Sequence, residues 1–330
     1  STRGKELGIE VHNNSFLVDL LKDATGTVGG AWGFKHREGK FIAIRAKSTV
    51  LCTGGAPQLH RINDSPPQVT GDGYAMGLRA GAELIDMEMI DYVLTTGWPE
   101  KMEGYGSNSH TFLAAGGQFL NRDGERFMKR YNPDAKDGVY ENGHRSVINR
   151  GIGTEVFEGR GTDHGCIYFD VRDAIGAVGE KGENISRAFK NAGVDLHKEP
   201  FEVCSCPHTF LGGLRIDEHG HTTLPGFYAG GEATGGVHGS NRLAGAALAD
   251  SFVFGSRTGR TAAREAAERK SPAIPKSAAE EVRASLAQRE SASGGMSPEA
   301  FRLALQENVY NTIGQVRSEE RLLKGLARLK

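Results

Sequence analysis

The feature that most constrains the fold is a glycine-rich stretch between a short apolar run and a long helical one. Residues 224–243 read LPGFYAGGEATGGVHGSNRL, and the Phe-Tyr-Ala run within them predicts a strand that ends at two glycines. A long helix is predicted from residue 244 to about residue 270, so its N-terminus, with free N–H groups and partial positive charge, follows the glycines directly. Because glycine lets a backbone approach a ligand closely, this order predicts a site for a flat ligand at the turn ahead of the helix.

A second transition from strand to glycine precedes this stretch in the chain. The apolar run at residues 48–52 (STVLC) leads into Thr53, Gly54 and Gly55. Ligands in α/β sheets bind where a buried strand ends in such a turn. Residues 70–73 (TGDG) then precede a segment of helical apolar spacing at 74–84, with Thr70 or Asp72 as the predicted N-cap. Together these segments predict an α/β fold.

Composition restricts the class of protein. The chain has 330 residues, enough for two or more cores, since single domains usually hold ~100–200 residues. Its 40 Lys and Arg residues balance 41 Asp and Glu residues, which argues against a nucleic-acid binder. No run approaches the ~18 consecutive apolar residues that a membrane-spanning helix needs.

Hydrophobic patterning predicts the remaining elements. Strands separated by glycine turns are predicted at 9–11, 16–20, 28–34 and 40–44. Helices are predicted at 146–160 and 173–192, with polar loops over 100–145 and a linker plus a short helix over 271–296. Ser297 and Pro298 form a strong helix start, and the packing face predicted for that helix consists of Phe301, Leu305, Val309, Ile313 and Val316.

The four cysteines, Cys52, Cys166, Cys204 and Cys206, form neither a disulfide framework nor a C-x-x-C pair. Cys204 and Cys206 alternate along a predicted strand, so both are expected on the same face. We interpret the cysteines as small buried side chains, and the alternative is a redox pair or metal ligands. A reducing compartment fits both interpretations, and we predict no metal site.

Several motifs, in a fixed order along the chain, resemble the flavoprotein subunits of the succinate dehydrogenase/fumarate reductase family, whose FAD-binding superfamily also includes L-aspartate oxidase. The motifs are 48–55, ending in CTGG; 70–73, TGDG; 81–88, GAELIDME; 116–131, GGQFLNRDGERFMKRY; 208–213, HTFLGG; 227–232; 235–243; and 250–259. Residues 297–330 resemble the start of the family's C-terminal helical domain. The resemblance covers nearly the whole chain, and the set is specific although no single motif is.

The resemblance implies an incomplete Rossmann-like FAD-binding domain with an inserted α+β capping domain and the start of a C-terminal helical domain. It assigns residues 1–85 and 208–270 to the FAD-binding domain, 86–207 to the capping domain and 271–330 to the helical domain. The G-x-G-x-x-G spacing that holds the FAD pyrophosphate does not occur in the sequence. The family's flavin-linking histidine segment is absent as well. We therefore expect a fragment that lacks both ends and alone binds FAD weakly or not at all.

The resemblance also implies an FAD-dependent oxidoreductase that acts on the CH–CH group of a carboxylate such as succinate or fumarate. Flavin N5 would exchange a hydride with one carbon of the substrate. Electrons would pass to an iron–sulfur subunit of a larger complex, with membrane contact only through partner subunits. We expect a cytoplasmic protein, peripheral at the inner face of the cell membrane. The alternatives are a stand-alone flavin oxidase of the L-aspartate oxidase type and a non-catalytic fragment.

The residues that match the family's cofactor-binding positions lie in both glycine segments and in the helix that follows each of them. They are Thr53, Gly54, Gly55, Asp72, Gly231, Glu232, Gly236, Ser240, Asn241, Arg242, Ala244 and Leu248. Glu232 would accept hydrogen bonds from a ribose or ribityl hydroxyl, and its alternative is a role at the helix dipole. The N-terminus of the long helix would stabilise negative charge at N1 and C2=O of the reduced flavin.

The residues that match substrate-binding and proton-transfer positions are Arg145, His208, His238 and Arg242. The resemblance implies that Arg242 and His208 bind a carboxylate and that Arg145 is the proton shuttle. The alternatives are an ion-pair residue at the helix end for Arg242 and a structural histidine for His208. Arg145 is alternatively a solvated helix residue, with Arg150 in its role. An arginine acid needs a buried site and a relay, because guanidinium keeps its proton above about pH 12.

Two stretches depart from the family's dicarboxylate site. Val93 stands where the family has a histidine, and the glutamate and arginine of its proton relay correspond to His110 and Leu113. A valine and a leucine neither bind a carboxylate nor pass a proton. The departures leave two interpretations: His110 and Asn108 serve with a different geometry, or the substrate is not succinate or fumarate.

Overall fold

The structure is a computed structural model that describes residues 2–106, 109–275, 280, 284, 287–288 and 294–329. Its strands are β1 (Ser15–Lys22), β2 (Val28–Lys35), β3 (Lys40–Arg45), β4 (Thr49–Leu51), β5 (Leu84–Ile85), β6 (Ile90–Trp98), β7 (Gln118–Leu120), β8 (Ile167–Asp170), β9 (Phe201–Phe210), β10 (Gly213–Leu214) and β11 (Phe227–Ala229). Its helices are α1 (Thr2–Glu6), α2 (Asp72–Ala80), α3 (Ser109–Ala114), α4 (Met128–Tyr131), α5 (Arg145–Phe157), α6 (Glu180–Asn191), α7 (Ala246–Glu268), α8 (Pro298–Thr312) and α9 (Glu319–Leu329). Asn108 and most of the linker predicted for 271–296 lie outside the described residues.

The chain divides into two compact units. Unit 1 comprises Ser1–Gly55, Gly71–Glu88 and Leu211–Gly295, and unit 2 comprises Ala56–Thr70, Met89–Phe210 and Met296–Lys330. Each unit has an apolar core of its own. Because both units are assembled from three separate segments of the chain, each depends on contacts between residues that are far apart in sequence.

An antiparallel sheet in the order β1-β2-β3 begins unit 1. This sheet confirms the strands predicted at 16–20, 28–34 and 40–44. The strand predicted at 9–11 is wrong: Ile9 and Val11 are 59% and 71% exposed. Because Ser15 at the start of β1 pairs with Lys35 at the end of β2, β2 offers no backbone to residues 9–11, and a strand without a partner is not stable in water.

The strands β4 and β11 pair in parallel in unit 1, with Thr49 opposite Phe227 and Leu51 opposite Ala229. Helix α7 is held along β11 by Thr258, whose hydroxyl donates to the Ala229 carbonyl at 3.0 Å. Near the end of α7, Glu265 accepts a hydrogen bond of 2.6 Å from the Tyr228 hydroxyl. The long helix predicted after the glycine-rich stretch is therefore confirmed, and its contacts fix its direction along the parallel pair.

Helix α2 begins and ends at glycines. Its N-cap is Gly71 in the left-handed region, at φ 83°, and Asp72 is the first helical residue. The prediction of Thr70 or Asp72 as the N-cap is therefore wrong, because only glycine adopts this conformation without strain. Gly81, at φ 97°, closes the last turn, so the helix ends before Leu84, which belongs to β5.

Unit 2 contains a four-stranded antiparallel sheet in the order β6-β9-β8-β7. Its core is rich in buried phenylalanines, namely Phe112, Phe119, Phe127, Phe169, Phe189 and Phe201. Helix α5, which confirms the helix predicted at 146–160, contacts two strands of the sheet through Asn149. The Asn149 amide donates to the Tyr92 carbonyl at 3.1 Å and accepts from the Ser205 hydroxyl at 2.8 Å. These contacts fix the start of α5 beside β6.

Two predicted segments of unit 2 differ from the structure. The helix predicted at 173–192 begins only at Glu180, because Gly179, at φ 67°, interrupts the backbone ahead of it. The region 100–145, predicted as loops, contains α3, β7 and α4. These elements have three to six residues, too few for a periodic apolar pattern to appear in the sequence.

The C-terminal helix α8 begins as predicted. The Ser297 hydroxyl accepts a hydrogen bond from the Ala300 N–H at 3.2 Å, and Pro298 is the first helical residue. The predicted packing face is only partly correct. Val309 is buried, whereas Phe301 is 58% exposed and Ile313 follows the end of the helix. The apolar spacing therefore marks a face that packs at its C-terminal half only.

Three of the four cysteines are buried. Cys166, Cys204 and Cys206 pack together with Ile62 in unit 2, which confirms that Cys204 and Cys206 share one face of β9. Cys52 is exposed, so the prediction of a buried side chain is wrong at this position. Cys52 directly follows the last residue of β4, where the backbone leaves the sheet.

Candidate cofactor and substrate sites

The two glycine segments predicted to bind the cofactor meet at one edge of unit 1. Because β4 and β11 are parallel and in register, residues 52–55 and 230–232 both leave the sheet at the carboxyl ends of the strands. The Gly230 N–H donates to the Leu51 carbonyl at 3.1 Å, which holds the two segments together at their start. Ligands of α/β proteins bind at such an edge.

The N-terminus of α2 lies against the same edge. A Cβ at Gly73 would be 1.9 Å from Thr53 Oγ1, so only glycine permits this approach. Thr53 and Asp72, both predicted to bind the cofactor, are therefore brought together. Asp72 lies in the first turn of α2, where a carboxylate is stabilised by the helix dipole.

Tyr74 fixes the segment that carries Glu232. Its hydroxyl donates to the Glu232 carbonyl at 2.8 Å and lies 3.2 Å from the Gly212 carbonyl. Burial, and next the nearby Glu232 carboxylate, raise the pKa of Tyr74 well above its ordinary value. Tyr74 therefore remains a hydrogen-bond donor at any physiological pH, and the half-buried Glu232 is held at the end of β11.

The glycine-rich loop is tight at its base and open at its tip. A Cβ at Gly235 would lie 2.7 Å from the Gly213 nitrogen and 2.8 Å from the Ile85 carbonyl, so glycine is required there. Toward the tip, Gly236 and Gly239 have positive φ and are exposed. The predicted cofactor residues that follow are exposed as well, namely Ser240, Asn241, Ala244 and Leu248.

His238 and Arg242 occupy different environments in this loop. His238 Nε2 is 3.5 Å from Asp250 Oδ2, and burial raises the pKa of Asp250 against the opposing effect of His238. Arg242 is only 4% exposed, and its Nη1 donates to the Leu243 carbonyl at 3.1 Å. The buried guanidinium is thus part of the turn that leads into α7.

The hydrogen-bond donors and acceptors of these residues fit an FAD molecule. The first turn of α7 follows Gly245, at φ 82°, and has no side-chain N-cap, so the helix N-terminus offers partial positive charge to a ligand. Ser240 and Asn241 add hydroxyl and amide groups, and Glu232 adds an acceptor for sugar hydroxyls. Together with Thr53 and Asp72, these groups would hold the ribityl and isoalloxazine parts of FAD.

Unit 2 contains a cavity of about 590 Å³ that has the predicted proton-shuttle residue Arg145 in its lining. It is lined by Asp64, Val93, Leu94, Gly106, Ser109, His110, Leu113, Ala114, Val139, Glu141, Asn142, Gly143, Arg145, Ile148 and Asn149. The volume lies within the ~300–1,000 Å³ typical of small-molecule sites. All of these residues belong to unit 2, so the cavity is a feature of this unit alone.

Arg145 reaches the cavity from the first position of α5. The preceding residue, His144, caps the helix by accepting a hydrogen bond from the Ser146 N–H at 3.3 Å. Arg145 Nη2 donates to Asp91 Oδ2 of β6 at 2.6 Å, and the Asp91 side chain is 6% exposed. Arg150, the alternative to Arg145, is exposed. No motif points to Asp91, because a contact between residues 54 positions apart leaves no local pattern.

His208, on β9, adjoins the same cavity through Asp64. Its Nδ1 is 2.7 Å from Asp64 Oδ2, and Asp64 lines the cavity together with Arg145. Asp64 is a second site residue that no motif indicates, since it lies 144 positions from its partner. The ion pair orients the imidazole and leaves Nε2 as the ring nitrogen available for a ligand.

The three residues that depart from the family pattern converge on this cavity. Val93, His110 and Leu113 come from β6 and α3, and all of them line it. The structure therefore brings Arg145 and the three departures to one place in unit 2. Arg242 and His238 belong to unit 1.

A parallel strand pair that ends in two glycine segments beside helix N-termini defines the class of nucleotide-cofactor-binding α/β proteins. Residues 2–248 match the family described as FAD binding domain. The chain belongs to this family, and FAD is the family's cofactor. The predictions of membership in an FAD-binding family and of FAD as the cofactor are therefore confirmed at the level of the family.

The chain is similar to curated proteins of this family over most of its length. The fumarate reductase (CoM/CoB) subunit from Methanothermobacter marburgensis is 38% identical over 329 residues, which cover 97% of this chain and 57% of the relative. L-aspartate oxidase of Caulobacter vibrioides is 33% identical over 262 residues, 79% of this chain and 49% of the relative. The chain thus spans about half the length of the curated relatives that it matches.

Solved structures confirm the predicted fold. The structure of Mycobacterium smegmatis Sdh1 in complex with UQ1 superposes with a TM-score of 0.85 at 31% identity, covering 99% of this chain and 55% of that chain. A quinol fumarate reductase of E. coli superposes with a TM-score of 0.78 at 28% identity, covering 96% of this chain and 56% of that chain. Among the helices described, none is long and apolar enough to cross a membrane.

Proposed function

We propose that this chain carries flavin-binding and substrate-binding residues of an oxidoreductase that acts on the CH–CH group of a carboxylate. The observation that most supports this is the cavity of unit 2, which is lined by Arg145 and by Asp64, the partner of His208, although these residues are far apart in sequence. Two relatives named fumarate reductase and succinate dehydrogenase, 38% and 34% identical over 97% and 95% of this chain, support the reaction type.

In the oxidative direction, the saturated carboxylate loses a hydride from one carbon and a proton from the neighbouring carbon, and a carbon–carbon double bond forms. FAD, when bound, supplies the two-electron acceptor for the hydride. Arg145 lies on the cavity wall. Asp91, at 2.6 Å, would take one proton from Arg145 as Arg145 accepts the proton that leaves the substrate, so these two residues would move the proton as a pair.

His208 in unit 2 and Arg242 in unit 1 are each proposed to bind a carboxylate. With Nδ1 of His208 engaged by Asp64, Nε2 would donate to a carboxylate oxygen. Arg242 would contribute a buried guanidinium, and a charge-assisted hydrogen bond is strongest where water is excluded. Within unit 2, His208 would therefore orient the substrate, while Arg145 and Asp91 move its proton.

The flavin of such an enzyme must pass its two electrons to another protein or to oxygen. We propose an iron–sulfur protein as the recipient, in a complex that is cytoplasmic and peripheral at the inner face of the cell membrane. Relatives named as flavoprotein subunits support this assignment. Affinity purification of the full-length protein from its own cells should recover an iron–sulfur protein. Peroxide formation with L-aspartate would instead favour an oxidase, which relatives 33% and 35% identical keep as the second candidate.

The decisive experiment follows flavin bleaching in the full-length holoenzyme. The purified protein should be yellow, and an oxidisable carboxylate should bleach it in the absence of oxygen. Arg242→Ala should abolish bleaching while the yellow colour remains, with Arg260→Ala on the exposed face of α7 as the matched control. Unchanged bleaching in Arg242→Ala would remove Arg242 from the site, and a colourless wild-type holoenzyme would contradict the proposed function.

A further inference from the structure

The cations at the cavity of unit 2 are already neutralised by carboxylates. Arg145 Nη2 is 2.6 Å from Asp91 Oδ2, and His208 Nδ1 is 2.7 Å from Asp64 Oδ2. Asp91 is buried, so its charge is screened little by solvent. Each positive group that could attract an anionic substrate into this cavity therefore has a carboxylate of its own.

The other carboxylate of the cavity is paired as well. Glu141, fully buried, accepts two hydrogen bonds from Arg126, at 2.8 Å from Nε and 2.6 Å from Nη2. The carboxylates of Asp64, Asp91 and Glu141 are thus paired with His208, Arg145 and Arg126. The three pairs have no net charge when His208 is protonated and one net negative charge when it is neutral. His110, the remaining titratable residue of the lining, is exposed. Among the described residues of unit 2, the wall therefore offers no excess positive charge to a dianion.

Besides the neutral polar residues Ser109, Asn142 and Asn149 and two glycines, the rest of the lining is a group of six apolar side chains. They are Val93, Leu94, Leu113, Ala114, Val139 and Ile148. A carboxylate placed against these side chains would lose its hydration and gain no donor, which disfavours its binding strongly. An alkyl group in the same place would instead gain from burial, by roughly fourfold in affinity for each CH₂ group.

We infer that the substrate of this cavity is a monocarboxylate with an apolar tail rather than a dicarboxylate. The inference rests on the proposed function and names its substrate class. The single carboxylate is held by the charged residues, and the alkyl tail lies against Val93 and Leu113. These two side chains determine specificity by excluding a second charge.

The test compares substrates in the full-length holoenzyme. Rates of anaerobic flavin bleaching are measured with butyrate, hexanoate and succinate over a range of concentrations, and the second-order rate constants of bleaching are compared. We expect hexanoate to exceed succinate at least tenfold, and hexanoate to exceed butyrate. Leu113→Arg, which adds an uncompensated cation to the cavity, should shift the hexanoate-to-succinate ratio toward succinate by about tenfold or more.

Two controls separate specificity from folding. Val93→Thr keeps the size of the side chain but adds a hydroxyl, and it should lower the hexanoate-to-succinate ratio severalfold without loss of flavin. Val194→Thr, at a half-buried valine of unit 2 that does not line the cavity, should leave the ratio unchanged. Bleaching by succinate at a rate equal to or above that of hexanoate overturns the inference and leaves the proposed function intact. Bleaching by none of the three carboxylates overturns both.

Discussion

A single missing Cβ determines how closely α2 approaches the carboxyl edge of the parallel pair. At Gly73, a side chain would collide with Thr53 Oγ1 at 1.9 Å, and the helix would have to move away from β4. Thr53 and Asp72 would then separate, although both are predicted to bind the same cofactor. The geometry of the cofactor site therefore depends on one residue that contributes no functional group.

Gly73→Ala should reduce flavin retention and lower the free energy of unfolding by roughly 1–3 kcal/mol, the usual cost of overpacking. The matched control is Gly259→Ala, in α7, where an added Cβ meets nothing within 4 Å. There, alanine should stabilise the helix by roughly 0.5–1 kcal/mol. The measurement is the flavin-to-protein absorbance ratio together with urea unfolding. Equal flavin content in both variants would show that flavin binding does not depend on the close approach of α2 to Thr53.

At the residue scale, the sequence indicates candidate site residues but not the residues that pair with them. Arg145 and His208 are recognised by their motifs, but their partners Asp91 and Asp64 are not. Each pair joins residues from different elements, 54 and 144 positions apart, and no local pattern encodes such a distance. The charges of the two predicted residues are therefore visible in the sequence, whereas the neutralisation of those charges emerges only from the fold.

At the scale of elements, one buried carboxylate joins α4, α5 and the end of β7. Glu155 of α5 is fully buried, and its oxygens accept hydrogen bonds from Arg130, Tyr131, Asn121 and Arg160 at 2.6 to 3.1 Å. Burial opposes its ionisation, but the hydrogen bonds from Arg160, Tyr131 and Asn121 prevail and lower the pKa of Glu155 to about 2. The carboxylate thus remains charged and holds α4 against α5.

Glu155→Gln should lower the free energy of unfolding by roughly 3 kcal/mol at neutral pH, because it removes the one buried carboxylate of this network. Arg130 and Arg160 would keep only their more exposed partners, Glu125 and Glu158. The folded pKa lies below the ordinary value of 4.5. The stabilisation is therefore complete above pH 4.5, and it is lost as the pH falls toward 2. Urea unfolding of wild type and variant should converge over this range.

The matched control for that prediction is Glu158→Gln. Glu158 also pairs with Arg160 but is about half exposed, so its removal should change stability by no more than roughly 0.5 kcal/mol. A loss of the same size in both variants would mean that the buried network contributes no more than a surface ion pair.

Helices with a local sequence signal were predicted well, whereas a short strand that depends on pairing with a neighbouring strand was not. The spacing within α7 and the Ser-Pro start of α8 are local signals, and both helices form where expected. The segment at 9–11 alternates like a strand, yet Ile9 and Val11 remain exposed because no neighbouring strand extends to them. A short alternating run forms a strand only if another strand, often far away in sequence, pairs with it. The run itself gives no information about such a partner.

At the scale of the whole molecule, stability should vary with pH because of one buried histidine. His60, in the segment of unit 2 that precedes α2 in sequence, is 2% exposed. Burial, and next the charge of Arg317, lower the pKa of His60 to about 4 from the ordinary 6.5. The folded protein keeps this imidazole neutral over a range in which the unfolded chain binds a proton.

Stability should therefore fall as the pH drops from 6.5 to about 4, by roughly 3 kcal/mol if His60 acts alone. His60→Gln should flatten the pH dependence in this interval, whereas His36→Gln, at an exposed histidine, should leave the slope unchanged. Urea-unfolding midpoints at several pH values give the comparison. A slope that persists in His60→Gln would assign the effect to other groups.

The parallel pairing of β4 with β11 sets an order of events during synthesis. Thr49 leaves the ribosome roughly 180 residues ahead of its partner Phe227, and translation at ~5–20 residues per second makes that interval on the order of 10–40 s. Residues 89–210, the larger part of unit 2, emerge in between and can compact first. During this interval the nascent β4 lacks its partner strand β11, and Val50 and Leu51 can be bound by chaperones. The cofactor site at the edge of unit 1 forms only when residues 230–232 have been synthesised.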